Sequence, residues 1–268
     1  MILDEKDSSA KLPDAMKERE TIEERETIDR VFDGRVAVVQ RRGGFRFALD
    51  SLLLARFVEL RGRERVVDLG AGNGVVALSL AVLNPGLEAV GVELQEPMIE
   101  RAERGSALNG LGERVRMVRG DVRDVEKDFP AASFDAAVCN PPYRPPRSGR
   151  VNPDRERLVA RHEVEGGLAD FVRAGAYLLR RRGRMCLVYP SERAVELFSV
   201  MRQHGLEPRR VRFVQSFAGS PATLVLAQGV KGARTSLTVL PPLVIYRRED
   251  EYTDELDELL KPGPGPCS

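Results

Sequence analysis

Hydrophobic and polar positions switch period repeatedly along this chain, most regularly from residue 65 onward. RVVDLG (65–70) is a short β-branched run that predicts a strand, and GVVALSLAVL (74–83) predicts a buried helix ending before Asn84-Pro85-Gly86. EAVGVE (88–93) reads as the next strand and residues 96–110 as an amphipathic helix. VRMVRGD (115–121) and FDAAVCN (134–140) add two strands. Residues 166–183 predict a helix whose arginines gather at its C-terminal end, where cations complement the macrodipole. A fifth strand (184–190), a helix (191–205) and a strand pair (209–217 with 222–230) complete the series. Strands alternating with helices predict an α/β fold: a mostly parallel sheet with helices on both faces and a closing antiparallel strand pair.

Upstream, RVAVVQ, Arg41-Arg42-Gly43-Gly44 and FRF predict a hairpin turning at the paired glycines, with Asp50 capping the helix SLLLARFVEL. Residues 1–30 hold few large apolar side chains and carry ten acids against six bases, so a charged, mobile tail is expected there. The expected folded domain is 31–258, with the hairpin and helix (31–64) before a core (65–258) and a short tail (259–268) after it.

Composition narrows the function. With 42% hydrophobic and 31% charged residues in 268, neither a membrane protein nor a disordered chain is expected, and no apolar run reaches the roughly 18 residues of a span. The start MILDEKDSSAKL is not a secretory signal. Three scattered cysteines without a CxxC pair point to a reducing cytoplasm and to neither a disulfide framework nor a zinc site. Two histidines and no tryptophan leave little for histidine-based metal or triad chemistry, so no metal is expected. The formal charge of +1 conceals a mildly basic body behind the acidic tail, a balance compatible with an anionic partner.

Chemistry collects at three predicted strand ends, where a parallel sheet holds its ligands. Asp68-Leu69-Gly70-Ala71-Gly72-Asn73-Gly74 joins the first core strand to its helix. A dinucleotide loop needs G-x-G-x-x-G facing a pyrophosphate, whereas this one reads G-x-G-x-G with Val75 at the third position. Asp68 would repel a phosphate and favour a cationic amino group. Glu93, ending the second strand, can accept the two hydroxyls of a ribose, and Asp121, ending the third, an adenine amino group. Together Asp68, Gly70, Gly72, Gly74, Glu93 and Asp121 resemble the S-adenosylmethionine site of class I methyltransferases, which implies a Rossmann-like fold and that cofactor. The alternative is a set of ordinary loop residues.

Asn140-Pro141-Pro142-Tyr143 follows the fourth strand. Two prolines donate no ladder hydrogen bonds, so the chain leaves the sheet with carbonyls unpaired. The Asn140 side-chain oxygen and the Pro141 carbonyl can hold the two N–H groups of a delocalised amine and aim its lone pair at a methyl donor. Tyr143 can stack on a planar base. A structural turn is the plainer reading. The segment resembles the signature of amino-group methyltransferases acting on adenine N6, cytosine N4, guanine N2 or glutamine N5.

GGFRFALDSLLLARF, NPPYRPPRSGRVNPD and PPLVIYRREDEYTDEL together resemble the bacterial tRNA1(Val) adenine-N6 methyltransferases, from about residue 31 to 258. The resemblance implies a tRNA substrate and places Phe47 and Asp50 beside the methionine end of the cofactor, against the helix-cap reading of Asp50. Residues 144–161 carry six arginines against Asp154 and Glu156. Pro142, Arg144, Arg147 and Arg150 are therefore expected to contact substrate, with Arg209, Arg210 and Arg212 assisting on the flanking phosphates. A solvated loop is the alternative, and His162 is expected to start or cap the next helix. Competing functions are a glutamine N5-methyltransferase of release factors and a non-catalytic RNA-binding module.

Overall fold

The computed structural model describes residues 26–42, 49–142, 166–249 and 251–261. The strands are β1 (Glu26–Val31), β2 (Val36–Arg41), β3 (Arg65–Leu69), β4 (Glu88–Glu93), β5 (Val115–Arg119), β6 (Phe134–Cys139), β7 (Leu179–Pro190), β8 (Leu206–Phe217), β9 (Ala222–Lys231), β10 (Thr238–Val239), β11 (Leu243–Arg248) and β12 (Glu251–Tyr252). The helices are α1 (Leu49–Phe57), α2 (Val75–Leu83), α3 (Glu96–Leu108), α4 (Leu168–Leu178), α5 (Ala194–Gln203) and α6 (Asp254–Leu260). Among the described residues no helix is long and apolar enough to cross a membrane.

β3 to β12 form one ten-stranded sheet in the order β12-β11-β8-β9-β7-β6-β3-β4-β5, with β10 on the side of β8. The chain enters at β3, builds outward through β4 and β5, then returns to β6 and β7 on the other side of β3. The strand order therefore reverses between β3 and β6, and the carboxyl ends at such a switch point are where a sheet of this kind takes its ligand. Alternate residues face opposite sides of the sheet. Val66, Ala136, Val138 and Val188 pack with α1 and α2, whereas Val67, Leu69, Ala137 and Leu187 pack with α4 and α5.

Two elements differ from the sequence expectation, and a third extends it. The hairpin pairs β1 with β2 and turns at Phe32–Arg35, where Phe32, Asp33 and Gly34 all have positive φ. Asp33-Gly34 is the turn signal, and it recruits residues read as tail into a strand. The turn expected at Arg41–Gly44 runs into residues 43–48, which lie outside the described residues. The helix expected over 166–183 ends at Leu178, and Leu179 is already extended. Phe134 pairs with Leu179 but Ala136 with Arg184, so Arg180–Gly183 loop out opposite the single residue Asp135. The arginines thus belong to a bulge at the start of β7 and do not line a helix end. The β8–β9 pair is antiparallel as expected, and β11 then adds in parallel to β8, so the sheet continues past it.

The hairpin docks on α3 and its C-terminal end through polar side chains. Asn109 donates Nδ2 to the Ala37 carbonyl at 2.7 Å and accepts from the Ala37 amide on Oδ1 at 2.9 Å. Arg101 and Arg104 clamp Glu26 on the same face at 2.9 and 2.6 Å. Removing the amide strands two backbone groups of buried Ala37. Asn109→Ala should therefore destabilise the protein by about 1–3 kcal/mol, read as a lower urea midpoint with an unchanged m-value.

Candidate active site

Sheet register builds the site. Leu69 of β3 pairs with Val92 of β4 and with Cys139 of β6. The next residue on each strand, Gly70, Glu93 and Asn140, therefore stands in one row at the carboxyl ends. β5 extends the row, since Gly120 donates its amide to the Glu93 carbonyl at 3.0 Å and Asp121 follows.

The glycine loop leaves β3 with Gly70, Gly72 and Gly74 at φ +68, +56 and +79. These left-handed turns are the reason for glycine at alternate positions. A β-carbon on Gly70 would strike the Phe171 ring at 2.9 Å, and one on Gly74 would strike Ala102 at 2.9 Å. At Gly72 the same β-carbon would meet only open space. The backbone at Gly72 is thus the face that a bound group can approach closely. The loop is tied down by the amides of Gly70 and Ala71, both bonded to the Val92 carbonyl at 2.9 and 3.1 Å.

Asp68 is 2% exposed, and its Oδ2 accepts the Ala77 amide of α2 at 3.2 Å. Gly74 occupies the N-cap position of α2 and has no side chain to offer, so Asp68 supplies the capping oxygen from behind the loop. Burial pushes its carboxyl up to about 7, opposed by the Ala77 bond and reinforced by the charge of Glu93. Glu93 is 7% exposed. Its Oε2 accepts from the Gly72 amide at 2.8 Å, and its Oε1 from the amides of Leu94 and Gln95 at 2.9 Å each. A ribose would share this carboxylate with the backbone it already holds. Asp121 accepts from the Arg123 amide at 2.8 Å and from Arg123 Nε at 2.9 Å. The Arg123 guanidinium, then its backbone amide, hold the Asp121 carboxyl below its ordinary range.

Asn140 donates Nδ2 to Ser51 Oγ at 3.0 Å, across the gap between β6 and α1. Ser51 is 6% exposed among buried leucines, so its hydroxyl is a fixed partner for the amide. Sequence reading missed this residue, although a lone serine at the head of the apolar run SLLLA was the available signal. Asp50 does not precede the helix as the expected cap: it lies inside the first turn of α1, where it accepts the Ser51 amide at 2.9 Å and so supports the residue that holds Asn140. Pro141 is buried and Pro142 half-buried beyond it. Phe47, Tyr143, Arg144, Arg147, Arg150 and His162 lie outside the described residues.

Two of the three assisting arginines are already engaged. Arg210 packs over the Phe57 ring at 4.3 Å and pairs with Glu59, and Arg212 pairs with Glu255 and donates to the Pro241 carbonyl at 3.0 Å. Arg209 enters β8 near its start, at the end of the sheet away from Asn140, because β8 runs antiparallel to β9 and β9 antiparallel to β7. Arg210 and Arg212 are thus committed to other partners, and Arg209 lies away from Asn140. The buried thiols are likewise idle, with Cys186 pushed up to about 12 and Cys139 well above its ordinary value, both by burial.

Comparison with known proteins agrees with this geometry. Residues 46–205 match the family described as methyltransferase small domain. A tRNA1(Val) (adenine(37)-N6)-methyltransferase of Tolumonas auensis is 31% identical over 188 residues, covering 70% of this chain and 77% of the relative. The protein of the same name from Aeromonas hydrophila subsp. hydrophila is 28% identical, covering 82% of this chain and 91% of its own length. Among solved structures, a predicted O-methyltransferase, protein Atu636 from Agrobacterium tumefaciens, superposes with a TM-score of 0.64 at 24% identity. That superposition covers 78% of this chain and 94% of the other, and it shows the class I methyltransferase fold.

The buried carboxyl of Asp68 makes stability depend on pH. Above its ordinary value of 3.8 the unfolded chain has lost this proton, while the folded chain keeps it to about pH 7. The contribution of Asp68 to stability therefore falls as pH rises from about 4 to about 7 and is level beyond. Urea unfolding at pH 5 and pH 8 should show a fall on the order of a few kcal/mol from this group, and Asp68→Asn should remove that part of the slope. An unchanged slope in the variant would mean that Asp68 is already ionised in the folded state.

Proposed function

Since the chain belongs to the methyltransferase small domain family, and is a methyltransferase, we propose that it methylates the exocyclic N6 amine of an unpaired adenine in tRNA with S-adenosylmethionine as donor. The observation that carries the proposal is the placement of Asn140 beside Gly70 at the switch point, with its amide held by Ser51. The names of the relatives supply the substrate class.

The residues present fit this donor. When bound, S-adenosylmethionine supplies a methyl group on a sulfonium, an electrophile that needs only a well-aimed lone pair. The open face at Gly72 and the carboxylates of Asp68, Glu93 and Asp121 suit an adenosyl group with a cationic amino end and no phosphate. Asn140 is the residue that meets the substrate. Nδ2 donates to Ser51, and Oδ1 is the atom proposed to accept from the amine, with the Pro141 carbonyl as the second acceptor. Two acceptors on two N–H groups draw the nitrogen out of conjugation and fix the direction of its lone pair. The N-methylated ammonium that transfer would leave on the substrate is strongly acidic and loses its extra proton to water without a dedicated base, the donor departing as a neutral thioether. Tyr143 would stack on the adenine ring, which a loop base offers without the unpairing that a duplex base requires.

Asn140→Ala should lower kcat at least ten-fold, the loss equivalent to about 1.4 kcal/mol of transition-state binding, with cofactor affinity unchanged in calorimetry. Ser51→Ala should lower kcat roughly three- to ten-fold, as expected for one hydrogen bond of about 1 kcal/mol, with KM for RNA unmoved and Ser51→Thr closer to wild type. The substrate is tested by offering labelled cofactor to unmodified tRNA, duplex DNA and a release-factor protein side by side. Label in tRNA as N6-methyladenosine is expected. Label in the protein alone would replace the RNA reading with glutamine N5 methylation, and a different methylated base would remove the adenine assignment.

A further inference from the structure

A cationic site lies at the opposite end of the sheet from Asn140. The lining of a cavity of about 810 Å³ includes seven arginines and one glutamate, Glu59. Its walls come from the connection before β3, the start of β7, the start of β8 and the turn after β9. All four are at the amino ends of the parallel strands, roughly 15–20 Å along β6 from the glycine loop at about 3.3 Å per residue. Two of the arginines have structural employment. Arg184 pairs with buried Glu64 at 2.6 Å, and Arg210 with Glu59. The guanidiniums of the other five, Arg61, Arg181, Arg182, Arg209 and Arg234, pair with no carboxylate among the described residues. Arg209 donates only to the backbone carbonyl of Arg234, at 2.8 Å.

The backbone supports the same conclusion independently. The bulge Arg180–Gly183 sets four residues against one on β6, and Arg182 within it has φ +67. A left-handed conformation is unfavourable for a residue with a side chain, and continued pairing of β6 with β7 does not require the bulge. Its effect is to carry Arg181 and Arg182 into the cavity wall. Strain of this kind collects where the chain must present particular side chains.

Guanidinium charge well in excess of the carboxylates around it, as among the described residues here, is the chemistry of phosphate binding. The groups come from four separate segments, and none of the lining residues opens a helix, so the site lacks the convergent amide nest that grips one terminal phosphate. Guanidiniums spread over an open cavity match successive phosphates of a polynucleotide backbone. We propose that this cavity is a remote anchor for the phosphate backbone of the RNA substrate, gripping it away from the adenine being methylated. The inference rests on the RNA reading of the catalytic end.

The test compares the wild type with the combined Arg61→Ala, Arg181→Ala, Arg182→Ala, Arg209→Ala and Arg234→Ala variant, using full-length unmodified tRNA. The variant should bind tRNA at least ten-fold more weakly at low salt. The slope of log affinity against log salt should become shallower by roughly 0.7–0.9 for each phosphate that the variant no longer neutralises. Cofactor affinity, kcat at saturating tRNA, and KM for a short oligonucleotide filling only the catalytic cleft should stay at wild-type values. The five-fold Arg→Lys variant should keep most of the slope, which separates charge from fold. Wild-type RNA binding and salt slope in the alanine variant would overturn the anchor while leaving the RNA reading intact. Failure of the wild type to bind or methylate any RNA would instead overturn the reading itself. Thermal stabilisation by inorganic tripolyphosphate that disappears in the alanine variant, with tRNA affinity unchanged, would reassign the cavity to a free polyphosphate and overturn the anchor.

Discussion

The carboxylate of Glu93 is the constraint on which the catalytic end depends. Three glycines at positive φ give the loop after β3 its shape, but glycine also leaves a backbone with more conformational freedom than any other residue. Glu93 removes that freedom by accepting the Gly72 amide on one oxygen and the Leu94 and Gln95 amides on the other. One buried side chain thereby fixes the glycine loop to the turn that starts α3. Asp68 does the equivalent work for α2, capping a helix whose own N-cap residue has no side chain. The two carboxylates proposed to face a cationic, phosphate-free donor are therefore also the ties that shape the loop around them. A substitution at either position acts on fold and ligand together, so isosteric changes are more informative there than truncation.

Asn140 depends on a different kind of support. It stands beyond the last ladder pair of β6, where the prolines prevent the sheet from holding the chain further. Its orientation comes from Ser51 on α1, a helix packed on the face of the sheet that also holds α2. The N-terminal hairpin reaches the same region, with Asn73 of the glycine loop donating to the Val39 carbonyl at 3.4 Å and Asn109 clasping Ala37. The segments before the core thus brace the site, and they do not merely precede it.

Charge is divided between the two ends of the sheet. The carboxyl ends carry Asp68, Glu93 and Asp121, and the amino ends carry the arginine-lined cavity. A net charge near zero conceals this division, because the opposing groups cancel in the sum and not in space. If the proposed donor and RNA bind at these two ends, the demand for negative charge and the demand for positive charge fall on separate surfaces.

The core from β3 to β6 was legible in the sequence to within a residue or two, because strands buried on both faces read as apolar β-branched runs and the loops between them carry glycine and proline. The glycine loop, Glu93, Asp121 and the Asn-Pro-Pro segment were legible for the same reason, since chemistry at a strand end follows directly from locating the strand. Elements set by pairing were not. A glycine pair after RVAVVQ suggested one hairpin, while Asp33-Gly34 and the apolar match of β1 to β2 formed another. The arginines of 180–182 fitted a helix end by local rule, yet pairing of Leu179 with Phe134 ended the helix early and turned them into a bulge. Ser51 and Asn140 are 89 positions apart, the cavity's arginines run from Arg61 to Arg234, and no local periodicity links either set. Local pattern fixes which segments are strands and helices because burial and backbone preference act within a few residues. Which polar side chains meet is decided only when the sheet order and register bring distant segments to one edge.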